Sequence, residues 1–417
     1  MRTLTFSWEY PPVIEGGLAR HVRKLAEELV HQGAAVDVLT RASSEPTEQA
    51  PQDPNPMVEE RGGVTVYRVP EPGWPRDLER FVGWVEQMNR DMLGAGEALA
   101  QERHYTLVHG HDWLVASASA ALAERIGVRY VTTVHATEHG RHQGWVGEYP
   151  QSHIHGVERW MVHRADAVIT CSHYMRGHVA DIFDIDEARI TVIPNGIDPR
   201  DLQPVGDLDA LRAEFAAPDE QLVLLVGRLV YEKGFQFALD ALPDVIERVG
   251  GVRFLVAGSG THERELKEQA RRLGLDAHGI FLGWIGDDAL HSLYRIADLC
   301  VVPSLYEPFG FVALEAMASG CPCIVADTGG LREVVPEGER VGLRFNGGDA
   351  AHLGVMIERL LTDGPLRDRL VAEASEHVLG FDWSDIAART RGLYRELATP
   401  AARSATPELH PQGVRLS

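Results

Sequence analysis

One stretch of the chain, "YEPFGFVALEAMASGCPCIVADTGGLREVV", holds two glutamates eight residues apart, Glu307 and Glu315. Pro308 keeps Glu307 outside the following helix, because the residue before a proline avoids the right-handed helical region. Gly310 can open a tight turn, and the helix that starts after it carries Glu315. This spacing predicts two carboxylates at one helix N-terminus.

The backbone N–H groups of the same turn are predicted to point into a binding site, with the helix dipole behind them. They belong to Phe309, Gly310, Phe311 and Val312. Carboxylates accept hydrogen bonds from hydroxyls, whereas amides donate to oxyanions, so such a unit suits a ribose, a diphosphate and a sugar together. The alternative is that the two acids only favour the helix dipole.

A second stretch, "VGRLVYEKGF", places Arg228 at the end of a strand and Lys233 five residues later. An arginine fork and a lysine point charge at one strand end suit a diphosphate. The chain has only 3 lysines against 37 arginines, which makes the lysine of this loop a candidate for a role that arginine cannot fill. A surface ion pair with Glu232 is the alternative.

Near the N-terminus, "SWEYPPVIEGGLARHV" places Gly16 and Gly17 between the first strand and a helix. A glycine pair there lets backbone N–H groups approach an anion closely, in line with the helix dipole. The alternative is a tight turn without a ligand.

Polar residues also follow strands in "HGHDWLV" and "TVHATEHGR". Asp112 comes directly after one strand, beside His111, and His135 follows the next strand. Their position at the carboxyl ends of neighbouring strands favours a role in a binding cleft. The alternative is that these histidines are structural residues satisfied by hydrogen bonds.

Neither a metal ion nor a bound cofactor is predicted. The chain has no HExxH motif, and the acidic pairs Asp184/Asp186 and Asp207/Asp209 lie in linker-like sequence. The stretch "VAGSGTHERE" begins like a dinucleotide fingerprint, but Glu263 stands where the third glycine is required.

Short β-branched runs alternate with helical stretches along the whole chain, which is typical of buried parallel strands joined by helices. Two such series predict two doubly wound α/β halves that meet near Asn195 to Ala210. The segment 42–63 is rich in proline and acids and is predicted to be loose, as is the tail from Thr399. A final helix is predicted in "DWSDIAARTRGLYREL". Because ligands bind at the carboxyl ends of such strands, the cleft between the halves is the expected site.

Composition limits the possible partners. The chain has 417 residues and a formal net charge of −21, without a basic patch, which argues against nucleic acid. No apolar run reaches the length needed to cross a bilayer, and the N-terminus lacks the features of a signal peptide. We therefore expect a cytoplasmic protein without a membrane span; the oligomeric state stays open.

Taken together, these motifs resemble the retaining glycosyltransferases of the GT-B fold, in particular glycosyltransferase family 4. The resemblance rests on "GGLARHV", "HGHDW", "VHATEHGR", "VIPNGID", "GRLVYEKG" and the E-x7-E pattern of "EPFGFVALE". It implies an N-terminal Rossmann-like domain over 1–200 on the acceptor side, completed by a C-terminal helix over 382–398. A nucleotide-sugar domain over 205–381 and a flexible tail over 399–417 complete the expected organisation.

The resemblance also implies roles for the residues. Glu307 would contact the hydroxyls of the donor sugar, and Glu315 the ribose. Arg228 and Lys233 would neutralise the leaving diphosphate, and His135 would lie near the reacting sugar. The backbone from Gly310 to Val312 would hold sugar and phosphate, and Gly17 would close on the donor from the other domain.

The motifs are most similar to those of bacterial glycogen synthase-like enzymes. The implied function is therefore transfer of glucose from UDP- or ADP-glucose to an α-(1→4)-glucan, with retention of configuration and without a metal. The partners would be a nucleotide-sugar donor and an oligo- or polysaccharide acceptor. The alternative is a GDP-mannose-dependent α-mannosyltransferase that acts on a lipid or small acceptor.

Overall fold

The computed structural model describes residues 1–42, 57–71 and 78–398, and shows two α/β domains, each built around one sheet. The alternation of apolar runs and helices predicts this architecture, because strands covered by helices on both faces are buried throughout. The predicted tail 399–417 lies outside the described residues.

The first domain contains an eight-stranded sheet in the order β3-β4-β2-β1-β5-β6-β7-β8. Its strands are β1 (Arg2–Phe6), β2 (Ala35–Arg41), β3 (Val58–Arg61), β4 (Val64–Val69), β5 (Leu107–His111), β6 (Arg129–Val134), β7 (Ala167–Thr170) and β8 (Ile190–Val192). All neighbouring pairs are parallel except β3 with β4. Its helices are α1 (Gly17–His31), α2 (Leu78–Glu102), α3 (Ala116–Ile126), α4 (Glu138–Arg141), α5 (Gln151–Arg164) and α6 (His173–Phe183).

The second domain contains a six-stranded, fully parallel sheet in the order β11-β10-β9-β12-β13-β14. Its strands are β9 (Gln221–Val226), β10 (Val252–Ala257), β11 (Gly279–Gly283), β12 (Leu299–Val302), β13 (Cys323–Ala326) and β14 (Leu343–Phe345). The helices that follow the first domain in the chain are α7 (Leu208–Phe215), α8 (Phe235–Val249), α9 (Glu263–Arg272), α10 (Asp287–Ile296), α11 (Phe311–Ala318), α12 (Leu331–Val334), α13 (Ala350–Thr362), α14 (Gly364–His377) and α15 (Trp383–Ala398).

Two strands of the structure, β3 and β14, are not predicted by the β-branched runs of the sequence. The expectation of a loose segment over 42–63 is wrong for β3, which pairs antiparallel with β4 across Gly62 and Gly63. Both glycines have positive φ, 57° and 77°, as a two-residue hairpin turn requires. Residues 43–56 of that segment lie outside the described part. The other missed strand, β14, has only three residues and is too short to show a period.

The last helix, α15, returns to the first domain. Trp383, Ile386 and Tyr394 are buried in one cluster with apolar residues of α1 and the first sheet. The Tyr394 hydroxyl lies 2.6 Å from Nδ1 of His109, which is fully buried on β5. The helix therefore ties the end of the described chain to the domain that contains its start.

The two domains contact each other through hydrogen bonds between side chains of one domain and backbone groups of the other. The Glu333 carboxylate of the second domain accepts hydrogen bonds from the N–H groups of His173 and Tyr174, at 3.0 and 2.9 Å, where α6 begins. The Ser172 hydroxyl donates to the Pro308 carbonyl at 2.7 Å. These contacts place the Glu307 turn directly against the first domain.

Within the described ranges, no helix joins sufficient length to sufficient apolar character to cross a bilayer.

Candidate functional site

A cleft of about 810 Å³ lies between the two domains, at the carboxyl ends of both sheets. Ten of the twelve residues that the sequence singles out line it, and they come from both domains. They are Gly16, Gly17, His135, Arg228, Lys233, Glu307, Phe309, Phe311, Val312 and Glu315. The other two, Asp112 and Gly310, are buried directly behind the lining.

The wall from the second domain carries the two cations that the sequence singles out, Arg228 and Lys233. Lys233 ends a short 3₁₀ turn after β9, and its Nζ lies 2.7 Å from Oε2 of Glu307. The Ser304 hydroxyl donates to the same carboxylate oxygen at 3.1 Å. Arg228 keeps 57% of its side chain exposed, and its contact with Glu232 is long, at 3.9 Å. The guanidinium is thus available to a ligand, and the Glu232 ion pair is too loose to explain its position.

Helix α11 points its N-terminus into the same wall. Gly310 has φ 118°, a conformation that favours glycine, and it caps the helix. The first helical residues, Phe311 and Val312, line the cleft, and no described residue accepts a hydrogen bond from their N–H groups. Free amides at the positive end of a helix dipole suit an anionic oxygen.

The second glutamate of the pair is bound by the other domain. Arg20 of α1 donates to Oε1 of Glu315 at 2.9 Å and also pairs with Asp287. The Tyr294 hydroxyl donates to Oε2 of Glu315 at 3.0 Å. Glu315 is only 6% exposed, so both of its oxygens are satisfied within the protein. A ribose that binds here must replace at least one of these contacts.

The glycine loop of the first domain faces α11. A Cβ atom on Gly17 would lie 3.1 Å from the ring of Phe311, so the absence of a side chain at this residue lets the two domains approach closely. The buried Glu9 carboxylate holds the loop by accepting from the N–H groups of Glu15 and Gly16. Burial raises the pKa of Glu9 to about 8, against the lowering effect of these amides.

His135 follows β6 and reaches the cleft from the first domain. Its backbone N–H donates to Oδ1 of Asp112 at 2.7 Å, which explains why Asp112 lies behind the lining. Burial lowers the pKa of His135 to about 3, so its imidazole is neutral near pH 7. Burial also raises the pKa of Asp112 to about 6. A neutral imidazole can accept a hydrogen bond from a sugar hydroxyl without bringing a charge.

Sequence reasoning missed several cleft residues. Arg20 sits one turn after the glycine pair, and that spacing from an anion-binding loop is the signal that could have found it. Trp284, Trp383 and Asn195 also line the cleft. Asn195 lies in the "VIPNGID" motif, but nothing in that motif or in the stretches around Trp284 and Trp383 indicates that these side chains reach the cleft.

The acidic pairs outside the cleft have structural roles. The Asp207 carboxylate accepts from the N–H groups of Asp209 and Ala210 and caps α7. The Asp186 carboxylate accepts from the N–H of Ala188 and caps a short 3₁₀ turn.

Comparison with known families assigns both domains. Residues 15–201 match the family described as Glycosyltransferase Family 4, and residues 208–377 match the family described as Glycosyl transferases group 1. The two matches fall on either side of the junction between the sheets.

Two curated proteins and one solved structure are similar over nearly the full chain. The glycogen synthase of Mycobacterium tuberculosis is 38% identical over 411 residues, which cover 94% of both chains. The D-inositol 3-phosphate glycosyltransferase of Stackebrandtia nassauensis is 30% identical over 424 residues, which cover 96% of this chain and 90% of that protein. The sucrose-phosphate synthase of Thermosynechococcus elongatus superposes with a TM-score of 0.80 at 26% identity, over 95% of this chain and 98% of that one. The predicted GT-B fold is confirmed.

Proposed function

Since this chain belongs to the glycosyltransferases of family 4, we propose that it transfers glucose from UDP- or ADP-glucose to the end of an α-(1→4)-glucan. The similarity to a glycogen synthase over 94% of the chain supports the glucose donor and the glucan acceptor. The cleft supports the transfer itself, since it offers cations, carboxylates and free amides at one place.

The observation that carries the proposal is the arrangement on the second-domain wall. Lys233, the exposed Arg228 and the free amides of α11 all face one end of the cleft, next to the carboxylate of Glu307. A nucleotide-sugar carries a diphosphate next to the hydroxyls of its sugar. The diphosphate matches the positively charged Lys233 and Arg228, and the hydroxyls match the Glu307 carboxylate, which accepts hydrogen bonds. An uncharged ligand would leave the exposed Arg228 with only its long contact to Glu232.

These groups act on the charge that develops during transfer. As the bond to the anomeric carbon lengthens, negative charge grows on the diphosphate, where Arg228, Lys233 and the helix amides are already in place. Such preorganised donors stabilise the transition state without reorganisation. The anomeric carbon gains positive charge at the same time.

We further propose that configuration is retained and that neither a metal ion nor a bound cofactor takes part. The leaving diphosphate would accept the proton of the attacking hydroxyl on the face from which it departs, so no protein nucleophile is required. Glu307 is engaged by Lys233 and Ser304 and is suited to hold sugar hydroxyls. Neutral His135 would accept from a hydroxyl on the other side of the sugar.

Donor binding also requires an exchange of partners at Glu315. In the proposal the ribose hydroxyls take one carboxylate oxygen of Glu315, and Arg20 leaves that oxygen for the phosphates while it keeps its contact with Asp287. This exchange would couple binding of the nucleotide to the contact between the domains.

A small phosphorylated acceptor is the second candidate. It is favoured by two similar proteins whose names specify D-inositol 3-phosphate and sucrose phosphate. The mannosyltransferase alternative has no support from the proteins compared above, and it serves as a further arm of the test.

Nucleotide release tests the proposal. Purified protein is incubated with UDP-glucose, ADP-glucose or GDP-mannose, each with maltooligosaccharide, with glucose phosphates or with no acceptor, beside a Glu307→Ala variant. We expect release that depends on a glucose donor and on maltooligosaccharide, and that the variant loses. Release only with a phosphorylated acceptor would select the second candidate. Release only from GDP-mannose, or no release from any donor, would contradict the glucose assignment.

A further inference from the structure

Three histidines of the first domain meet at the inner end of the cleft. His21 comes from α1, His111 ends β5, and His135 follows β6. One ring nitrogen of each lies within 4.8 Å of the others. His21 and His111 are buried, at 4% and 0% exposure, whereas His135 reaches the cleft. The proposed transfer uses only His135, so two buried imidazoles stay without an assigned role.

Several polar atoms of this cluster lack partners. Among the described residues, no hydrogen bond of ordinary length and angle reaches either ring nitrogen of His21 or Nε2 of His111, although the Asn195 side chain lies against His21. The same is true of Oδ1 of Asn195, which is 3% exposed. An ordered water or ion is one explanation for a buried polar atom without a partner. Because Asn195 and His111 both adjoin His21, one bound water or ion could serve several of these atoms.

The ring geometry fits a tetrahedral metal ion. With Zn–N bonds of about 2.0–2.1 Å, three imidazoles around one zinc would have ring centroids roughly 5 Å apart. The observed centroid distances are 5.5 Å for His21 to His111, 4.7 Å for His21 to His135 and 5.3 Å for His111 to His135. Nδ1 of His111 and Nε2 of His135 share a hydrogen bond of 3.0 Å. A metal ion would displace the shared proton and separate the two nitrogens to the ~3.4 Å between two ligands of one tetrahedral ion.

We propose that His21, His111 and His135 bind one Zn²⁺ ion, with the fourth coordination position open to the cleft. Three neutral imidazoles and one open position form a ligand set that zinc accepts. No carboxylate belongs to the cluster, which disfavours Mg²⁺ and Ca²⁺, since both require oxygen ligands.

The surroundings supply the outer contacts of such a site. The Asn195 side chain lies beside His21, and its free Oδ1 could accept the N–H that remains when the other nitrogen binds the metal. Trp383 closes the opposite side, with its ring 5.5 Å from that of His21 in an edge-on arrangement. Because His135 and Asn195 both line the cleft, the ion would enter from there.

Zinc at this site would inhibit the transfer rather than assist it. This part rests on the proposed function, in which His135 accepts a hydrogen bond from the substrate. An ion bound to the same imidazole withdraws that acceptor and places a positive charge next to the anomeric carbon, where positive charge develops. Binding of the ion itself depends on no donor or acceptor and can be measured without them.

Metal titration tests the site. Protein without a polyhistidine tag is titrated with Co²⁺, whose visible absorption reports tetrahedral coordination, and then with Zn²⁺ as a competitor. We expect one Co²⁺ per chain, displaced by Zn²⁺. His21→Ala should lose the tetrahedral band, while His31→Ala should keep it. His31 lies on the same helix and is 68% exposed, so it is a matched control. No tetrahedral band, or an unchanged band in His21→Ala, would overturn the proposal.

A second variant and an inhibition assay complete the test of the metal site. If His21→Ala does not fold, as judged by circular dichroism, His135→Asn at the cleft wall replaces it and should weaken Co²⁺ binding by at least about tenfold. In the release assay, Zn²⁺ should inhibit the wild type and a chelator should restore it. Binding without inhibition would overturn the inhibitory role. An inactive protein that still binds Co²⁺ would contradict the proposed function and leave the site standing.

Discussion

The two walls of the cleft are built differently. The second-domain wall is charged and partly exposed, with Lys233 paired to Glu307 and Arg228 largely free. Around His135 the first-domain wall presents imidazoles, and burial lowers the pKa of His135 to about 3, so that it carries no charge near pH 7. The same wall also holds Arg20 and Lys24, but both are paired with carboxylates, Arg20 with Glu315 and Lys24 with Asp201. The region around Lys233 is thus suited to an anion, and the region around His135 to an uncharged sugar.

This contrast between the walls indicates where the transition state of the proposed transfer is stabilised. Fixed charges are effective only where charge develops, which is on the departing diphosphate. In the proposed transfer, an unpaired cation beside His135 would repel the positive charge that develops at the anomeric carbon. We therefore expect that substitutions on the charged wall affect the rate of transfer most strongly, and that changes at the contact between the walls have smaller effects.

The largest effect is expected for Lys233→Ala. Removing a donor aimed at the leaving diphosphate should lower kcat/KM by ~10²–10³-fold, as is seen for oxyanion-hole donors. The control is Lys267→Ala, because Lys267 pairs with Glu263 on α9 outside the cleft. Steady-state nucleotide release measures both. Equal values of kcat/KM for the two variants would contradict the role of Lys233 at the leaving diphosphate.

Glu315→Gln should weaken donor binding more than it slows transfer. A hydrogen bond to a charged group contributes about 1.5–3 kcal/mol, so we expect the KM for the donor to rise by about 10- to 100-fold with little change in kcat. Glu358→Gln is the control, since Glu358 forms an ion pair with Arg248 that is half exposed. If kcat falls and KM does not, Glu315 contacts the reacting group and not the ribose.

Gly17→Ala tests the contact between the walls. The added Cβ would lie 3.1 Å from the Phe311 ring, so α11 or the loop must shift by a few tenths of an ångström. We expect kcat/KM to fall by about tenfold, because misplaced binding groups cost rate. Gly364→Ala also changes the first residue of a helix but meets no atom within 4 Å, and it should be silent. Similar values for both variants would show that Gly17 needs no free space.

The smallest effect is expected for Glu9, and it concerns stability. Its pKa is raised by burial from 4.5 to about 8, so the folded protein holds this proton more tightly than the unfolded chain does. The resulting stabilisation is complete below pH 4.5 and is lost as the pH rises through 8. Glu9→Gln mimics the protonated form and should reduce the fall of the melting temperature over this range, while Glu28→Gln on the partly exposed face of α1 should not. A Glu9→Gln curve parallel to the wild type would contradict the raised pKa.

Much of this site could be predicted because it depends on local sequence. Arg228 and His135 follow strands, and parallel strands bring their carboxyl ends to one edge of a sheet. The turn before α11 was predictable from Pro308 and Gly310, since each restricts or frees the backbone in a known way.

The rest depends on how the domains dock. The ion pair of Arg20 with Glu315 joins residues 295 positions apart, and no local pattern encodes it. The histidine cluster combines one helix with the ends of two strands. The sequence placed His111 and His135 at neighbouring strand ends, but it did not indicate that His21 of the helix joins them. Strand β3 was missed because its acidic composition resembles a loop, although the glycine pair after it marks a hairpin.

The most direct test of the account is the identity of the transfer product. The protein is incubated with its glucose donor and maltotriose, and the new anomeric signal is followed by ¹H NMR. We expect a product in which maltotriose carries one added glucose in an α-(1→4) linkage. It should form at the rate of nucleotide release and should be lost in Lys233→Ala. A β-linked product, or release of the nucleotide with free glucose as the main product, would contradict it.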